Sequence, residues 1–222
     1  MQKSIHVFGP PGSGKGTQAN LIADNLNATH LDTGKYLEGL IKEGSPLIPE
    51  EEKVNFDEGR LVDPVLVLSL VKQRTEEIKG SGSSVVYSGS PRTVFEAFGD
   101  SKTQGLMDFL SNLYGKENLL IFKLSIPKAT SIERNSKRLV CTKCKQTNPY
   151  GNAEATKCIF CGGELYKRTL DDPIVIETRL KEYDERTDPV MKGLHEGGYR
   201  IIDIDGTPKP DEVFESIKAH LQ

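Results

Sequence analysis

A glycine-rich segment near the start of the chain has the composition of a loop that binds phosphate groups. It reads GPPGSGKGT over residues 9–17 and lies between a short apolar run and a helical pattern. The glycines let backbone N–H groups cradle phosphate oxygens, the helix N-terminus adds positive potential, and Lys15 can reach the outer phosphates. Gly16 stands where Ser or Thr usually ligates magnesium, and Thr17 follows it. The segment predicts a P-loop, with a glycine-rich turn and an exposed lysine as the alternative.

Four cysteines form two CxxC pairs with thirteen residues between them: Cys141, Cys144, Cys158 and Cys161. Two such pairs supply four thiolates for a tetrahedral Zn²⁺ and leave no open coordination position. The spacing therefore predicts a structural zinc that holds a segment too small to build its own core. Disulfides or unrelated core thiols are the alternatives, and the cytoplasmic location inferred below disfavours disulfides.

Five arginines beyond the loop could contact anions: Arg92, Arg134, Arg138, Arg168 and Arg179. A single arginine is more often part of a solvated face. Arg134 and Arg138, however, stand four residues apart on one helical face directly before the cysteines, and Arg168 follows them. Guanidinium groups in this number suit phosphoryl transfer, which needs positioning and charge neutralisation more than covalent chemistry.

The elements that must position these residues alternate along the chain. Short β-branched runs predict strands at residues 4–8, 28–31, 84–88, 119–125 and 199–204. Helical patterns cover residues 15–26, 34–42, 64–79, 104–113, 128–138, 173–185, 189–196 and 211–221. Strands alternating with crossover helices are typical of an α/β doubly wound domain with a five-stranded parallel sheet.

Two segments break this alternation and divide the chain. Residues 33–62 hold acidic helical patterns and no strand, and residues 139–170 hold all the cysteines. We expect both to be insertions at the edge of the sheet. The core domain is then formed by residues 1–32, 63–138 and 171–222.

Composition excludes several classes of protein. The chain has 222 residues, 36% of them hydrophobic, and a net charge of −3, which suits one globular domain with insertions. Without a basic surface, nucleic acid is not expected as a partner. The first apolar run is too short for a signal sequence, and nothing approaches the roughly 18 apolar residues of a membrane span. We expect a cytoplasmic protein without a membrane partner.

Motifs distributed over nearly the whole chain resemble those of the adenylate kinases, in the form with a zinc-bearing lid. They are GPPGSGKGTQA, TGKYL, GRLVDP, SPRT, CGGELYKR, RLKEYDERTDP and DIDGT, in the order of the family. The resemblance implies a monomer that transfers a phosphoryl group reversibly from ATP to AMP, giving two ADP, with Mg²⁺ bound to ATP. It also implies that residues 33–62 are a mobile nucleoside-monophosphate-binding (NMP-binding) domain and residues 139–170 a mobile zinc lid.

The resemblance assigns site residues by position. The ATP site would comprise Gly12, Ser13, Gly14, Lys15, Gly16, Thr17, Arg134, Arg138, Thr147, Asn148 and Pro208. The AMP site would comprise Thr33, Lys35, Glu38, Arg60, Leu61, Val62, Gly89, Ser90, Pro91, Arg92, Glu96, Arg168 and Arg179. The catalytic charges among them would be Lys15, Arg92, Arg138, Arg168 and Arg179.

The sequence departs from the family pattern mainly on the acceptor side. The family's positions hold Lys35 for Asp, Glu38 for Arg, Ser88 for Asp, Ser90 for Phe, Glu96 for Gln and, in the lid, Asn148 for Tyr. Lys35 and Glu38, three residues apart on a helix, could form an ion pair of reversed sign. The lid ends in RTLDD where RxDD is usual, so either Asp171 or Asp172 could match each family acid. A kinase for another nucleoside monophosphate and a non-catalytic nucleotide-binding relative remain alternatives.

Overall fold

The structure, a computed structural model, describes residues 2–148, 155–159 and 161–221; residues 149–154 and 160 of the predicted lid lie outside this range. Its strands are β1 (Ser4–Phe8), β2 (Thr29–Asp32), β3 (Val85–Ser88), β4 (Leu119–Ser125), β5 (Val140–Cys141), β6 (Leu165–Tyr166) and β7 (Ile201–Asp205). The first helices are α1 (Lys15–Leu26), α2 (Thr33–Lys42), α3 (Glu50–Asp57), α4 (Pro64–Gly80) and α5 (Val94–Phe98). The remaining helices are α6 (Leu106–Tyr114), α7 (Lys128–Ser136), α8 (Pro173–Glu182), α9 (Asp188–Glu196) and α10 (Pro210–Lys218).

Five strands form one parallel sheet in the order β2-β3-β1-β4-β7. This confirms the predicted fold class. The strands β3 and β2 lie on one side of β1, and β4 and β7 lie on the other. The strand order therefore changes direction at β1, and open α/β sheets have their ligand crevice at such a point. The P-loop follows β1 and therefore lies at that crevice.

Both faces of the sheet are covered, as a parallel sheet requires. Alternate residues of the strands point to opposite faces, so Val85 and Tyr87 belong to one core cluster and Val86 to the other. The first cluster packs against α4, α6 and α9, and the second against α1 and α10. Within the described residues, no helix is both long and apolar enough to cross a bilayer.

The two predicted insertions contribute no strand to this sheet. Residues 33–62 form α2 and α3, and the described part of residues 139–170 forms the antiparallel pair β5-β6. Their division from the core as separate mobile domains stays a prediction.

Local differences from the predicted elements have physical reasons. The helix predicted at residues 173–185 ends at Glu182 and continues as a π-helical turn, Tyr183–Thr187. The sequence analysis missed α5, β5 and β6, because elements of two to five residues are too short to show a periodic pattern. Two helices begin at a proline that follows a capping aspartate: Asp63 and Asp172 cap α4 and α8 through their side chains.

A histidine is buried in the central strand below the crevice. The ring of His6 is fully buried and stacks on Tyr87, with 4.5 Å between ring centroids. A carbonyl can only accept, so Nδ1 donates to the Ser90 oxygen at 3.4 Å and Nε2 accepts from the Ser4 hydroxyl at 3.1 Å. Burial lowers the pKa of His6 to about 4, and the hydrogen bond to Ser90 opposes this shift.

We expect acid to destabilise the fold through His6. The unfolded chain binds a proton on this histidine below about pH 6.5, whereas the folded chain binds it only near pH 4. Between these values the unfolded state holds more protons, so stability is lost as pH falls, by about 3 kcal/mol in total. Urea unfolding of the wild type and His6→Gln between pH 7 and pH 4 measures this contribution.

His195→Gln is the control, because His195 is exposed on α9. Carboxylates titrate in all three proteins, so only the difference between variants reports on His6. Equal acid sensitivity of His6→Gln and the wild type would contradict the prediction.

Candidate active site at the carboxyl edge of the sheet

Two glycines of the P-loop adopt a backbone conformation that other residues rarely adopt. Gly12 and Gly14 have φ angles of 80° and 89°, in the left-handed region. A Cβ atom on Gly12 would lie only 2.7 Å from Nδ2 of Asn135. The Ser13 hydroxyl is buried without a hydrogen-bond partner among the described residues. Such a loop, with an unpaired buried hydroxyl, fits an oxygen-rich ligand.

Lys15 lies at the end of this loop, where its ammonium donates to the Pro10 carbonyl at 3.1 Å. Enclosure by the protein lowers the pKa of Lys15 well below its usual range. Three nearby guanidinium groups lower it further: Arg92, Arg179 and Arg138. The carboxylate of Asp32 acts in the opposite direction. The cluster thus has a net positive charge, which suits the binding of a polyanion.

One buried carboxylate orients two of these arginines. Asp171 is 0% exposed and accepts from Arg138 through both of its oxygens, with 2.9 Å between Nε of the arginine and Oδ2. Arg179 lies 3.9 Å from the same carboxylate and donates to the Leu170 carbonyl. Burial lowers the pKa of Arg179 to about 9, and the neighbouring arginines add to this effect. Asp172 has a different task, since it caps α8. Burial thus separates the two acids, since Asp171 holds the arginines and Asp172 caps a helix.

Arg168 contacts the segment opposite the lid. Its guanidinium lies 3.3 Å from the carboxylate of Glu38 on α2. Glu38 also pairs with Lys42, one turn further along the helix. The expected pair between Lys35 and Glu38 is therefore wrong: two other cations occupy this carboxylate.

The loop after β3 is held by Glu96. This side chain is 2% exposed, and its carboxylate accepts from the Arg92 backbone N–H at 3.0 Å and from the hydroxyls of Ser90 and Thr93. Burial raises the pKa of Glu96, and these hydrogen bonds oppose the shift. Arg92 itself donates to the Gly89 carbonyl at 2.8 Å. Glu96 thus fixes the loop that carries Arg92.

The structure brings only some of the remaining acceptor-side residues to the cleft. Leu61 lines it together with Gly89, Pro91 and Arg92, and Val62 is buried. The Thr33 hydroxyl is buried and without a partner in the part of the chain that the structure describes. The Arg60 side chain turns away to Asn55 and Glu58.

Arg134 lies at the other end of the P-loop. Its two terminal nitrogens donate to the carbonyls of Gly206 and Thr207, each at 2.7 Å, which fixes the plane of the guanidinium beside Pro208. In the lid, Asn148 is 4% exposed and its backbone N–H donates to Leu139. Thr147 pairs with Val140 next to the cysteines.

The four cysteine sulfurs lie within 4.8 Å of one another. Each CxxC turn is followed by a residue with positive φ, Lys145 at 57° and Gly162 at 68°. In each turn the backbone N–H of that residue donates to the first cysteine's carbonyl. This distance and the thiolate chemistry fit a tetrahedral Zn²⁺.

The sequence analysis missed Asp32, whose carboxylate lies close enough to oppose the lowering of the pKa values of Lys15 and Arg92 by burial. Its place at the carboxyl end of a parallel strand was the available signal. It also missed the π-helical turn, from which Tyr183 and Thr187 line the cleft. No sequence pattern indicated that turn.

Comparisons with known proteins agree with this geometry. A family model described as adenylate kinase matches residues 7–198. The chain is 33% identical over 221 residues to an adenylate kinase of Methanocella arvoryzae, covering 97% of both proteins. It is also 33% identical to adenylate kinases of Clostridium botulinum, covering 98% of this chain and 97% of the relative, and of Carboxydothermus hydrogenoformans, covering 97% and 98%.

We expect purified protein to carry about one Zn²⁺ per chain and to lose stability without it, because a closed thiolate site contributes folding energy. Cys141→Ser should lose the metal and melt at a lower temperature than the wild type. Gln146→Ser, an exposed change in the same turn, is the control. Metal analysis and calorimetry test this, and a metal-free Cys141→Ser with unchanged melting would contradict it.

We expect Asp171→Asn to lower the free energy of unfolding by about 3 kcal/mol, because it leaves two largely buried guanidinium groups without their counter-charge. Asp172→Asn is a matched control, since asparagine also caps helices and this position is exposed. Urea titrations of both variants give the comparison. Equal losses in the two would show that Asp171 does not hold the arginine cluster.

Proposed function

Because this chain belongs to the adenylate kinase family, we propose that it transfers the terminal phosphoryl group of ATP to AMP, reversibly and with Mg²⁺, giving two ADP. The observation that carries this proposal is that Lys15, Arg92 and Arg179 line one cleft beside the P-loop, with Arg138 on the same Asp171 carboxylate as Arg179. A protein that only bound a nucleotide would not need cations on both sides of a transferred group.

On the donor side, the backbone of residues 12–17 binds the ATP phosphates, and Lys15 exchanges the Pro10 carbonyl for a phosphate oxygen. Two observations support this: the unpaired Ser13 hydroxyl and the low pKa of a lysine among arginines. Adenine lies against the fixed guanidinium of Arg134 and meets the backbone near Pro208. Thr147 and Asn148 contact ATP from the lid.

On the acceptor side, Arg92 and the hydroxyl of Thr33 bind the AMP phosphate, while the backbone of residues 60–62 borders the nucleoside. Lys35 lies at the start of α2, with an exposed side chain that has no ion-pair partner among the described residues. Lys35 supplies positive charge for the AMP phosphate, whereas Glu38 carries a negative charge. Arg168 exchanges Glu38 for phosphate oxygens when the substrates bind.

The reaction follows from this placement. An oxygen of the AMP phosphate attacks the terminal phosphorus of ATP, and the bond from that phosphorus to the bridging oxygen breaks, so each product is ADP. No proton has to move, because attacking and leaving groups are both phosphate oxygens. Arg138, Arg168 and Arg179 neutralise charge on the transferred group, and Asp171 keeps two of them in place. Mg²⁺, when bound, neutralises charge on the ATP phosphates and orients them.

Closure of residues 33–62 and 139–170 over the substrates excludes water, which would otherwise hydrolyse ATP. The contact between Glu38 and Arg168 supports this step, since it already joins α2 to the end of the lid. The zinc site keeps the internal structure of the lid fixed while the lid moves as a unit.

A guanine acceptor is the second candidate, because the chain carries a carboxylate at residue 96. A carboxylate can accept from both N–H groups on the pairing edge of guanine. Three protein donors already engage Glu96, however, and its side chain is buried. This occupancy favours AMP.

We expect a coupled assay with ATP and Mg²⁺ to give ADP formation with AMP at least about tenfold faster than with GMP, CMP or UMP.

Lys15→Ala should lower kcat/KM for ATP by at least roughly 10²-fold, because its charge faces phosphates in a closed site. Lys192→Ala removes an exposed charge on α9 and serves as the control.

A faster reaction with GMP would replace the first candidate by the second. Absence of ADP with every acceptor would contradict phosphoryl transfer altogether.

A further inference from the structure

Asp32 occupies a position where a carboxylate meets the phosphate-binding loop. It is the last residue of β2 and pairs in register with Ser88, the last residue of β3. Both strands end at the carboxyl edge of the sheet, which is also the edge at which β1 leads into the P-loop. The carboxylate therefore belongs to the cleft.

The nearest part of the P-loop is the residue after the lysine. A Cβ atom on Gly16 would lie 3.8 Å from Oδ2 of Asp32. In other P-loops this residue is Ser or Thr, and its hydroxyl ligates magnesium. Here the glycine leaves that space open, and a carboxylate oxygen lies next to it.

The two oxygens of Asp32 differ in their commitments. Oδ1 accepts the Lys35 backbone N–H at 3.1 Å and so caps α2. Oδ2 has no hydrogen bond or ion pair with any residue that the structure describes. Asp32 as a whole is partly exposed to solvent. One oxygen is thus structural, and the other is free for a ligand.

The neighbouring positions cannot supply this oxygen. The Ser88 hydroxyl is buried and bonded to Nε2 of His30 at 2.7 Å, and Lys35 is a cation. The other charged groups near Asp32 are Lys15 and Arg92, which anions would occupy. Magnesium prefers oxygen ligands, keeps several waters and is held by one or two carboxylates together with substrate phosphates.

We propose that Asp32 is the carboxylate that positions the magnesium ion of the bound nucleoside triphosphate, taking over from the missing hydroxyl at Gly16 and the missing acids at Lys35 and Ser88. This inference rests on the proposed function. It accounts for a sequence that lacks the family's acids at positions 35 and 88 while keeping every cation of the donor side. The alternative role of Asp32 is that of a helix cap alone.

Asp32→Asn separates these roles, because asparagine caps a helix about as well as aspartate but has no charge. The probe is a non-hydrolysable ATP analogue, titrated calorimetrically with and without Mg²⁺. In the wild type, Mg²⁺ should tighten binding of the analogue. In Asp32→Asn that tightening should fall by about tenfold or more, the range found when groups that support metal ligands are removed. Metal-free binding should stay equal or improve, since a negative charge near the phosphates is gone.

A second readout follows the metal itself. Electron paramagnetic resonance of Mn²⁺ with the same analogue counts bound metal, and Asp32→Asn should bind Mn²⁺ correspondingly more weakly. Asp63→Asn is the matched control, because Asp63 also caps a helix through its side chain but at the start of α4. Adding Ser88→Asp to Asp32→Asn places a carboxylate on the adjoining strand and should recover part of the metal dependence.

The outcomes are distinct. Unchanged metal dependence in Asp32→Asn would reduce Asp32 to a helix cap and overturn the inference, leaving the proposed function intact. An equal loss of metal-free and metal-dependent binding would also overturn it, because Asp32 would then act on the loop rather than on the metal. A wild type that does not bind the analogue under either condition would contradict the proposed function itself.

Discussion

Positive charge crowded into one cleft is the constraint on which the rest of the site depends. Burial lowers the pKa values of Lys15 and Arg179, and repulsion from the neighbouring guanidinium groups, among them Arg92 and Arg138, lowers them further. The fold tolerates this repulsion because the fully buried Asp171 compensates part of it. The remainder is an electrostatic potential directed at a polyanion, built before any ligand arrives.

This arrangement needs rigid supports, and they come from different parts of the chain. Carbonyls at residues 206 and 207 hold Arg134, and Glu96 holds the loop that carries Arg92. Left-handed glycines let the P-loop pack against α7. Arg92 and Arg134 are thus held in place before any phosphate binds, so these two cations need little reorganisation.

The acceptor side shows how a family pattern can change while the electrostatic task is kept. Glu38 carries the wrong sign for a phosphate site, yet it joins α2 to Arg168 and Lys42. Glu96 became part of the loop's internal hydrogen bonding. Lys35 and Ser88 stand where the family has acids, and Asp32, at the end of the strand next to that of Ser88, supplies a carboxylate in their place.

Sequence alone was sufficient for the properties that depend on local pattern. The apolar runs placed β1, β4 and α1 at their observed bounds, the glycines and Lys15 defined the P-loop, and the CxxC spacing defined the thiolate cluster. Only the tertiary structure decided which acid is buried, Asp171 or Asp172, that Glu38 pairs with Arg168 instead of Lys35, and that Asp32 faces Gly16. The physical reason is that these contacts join residues from different elements. Packing of the whole chain sets which residues are buried and where their side chains point across such contacts. A periodic pattern or a metal-binding spacing reports only on residues that are neighbours along the chain.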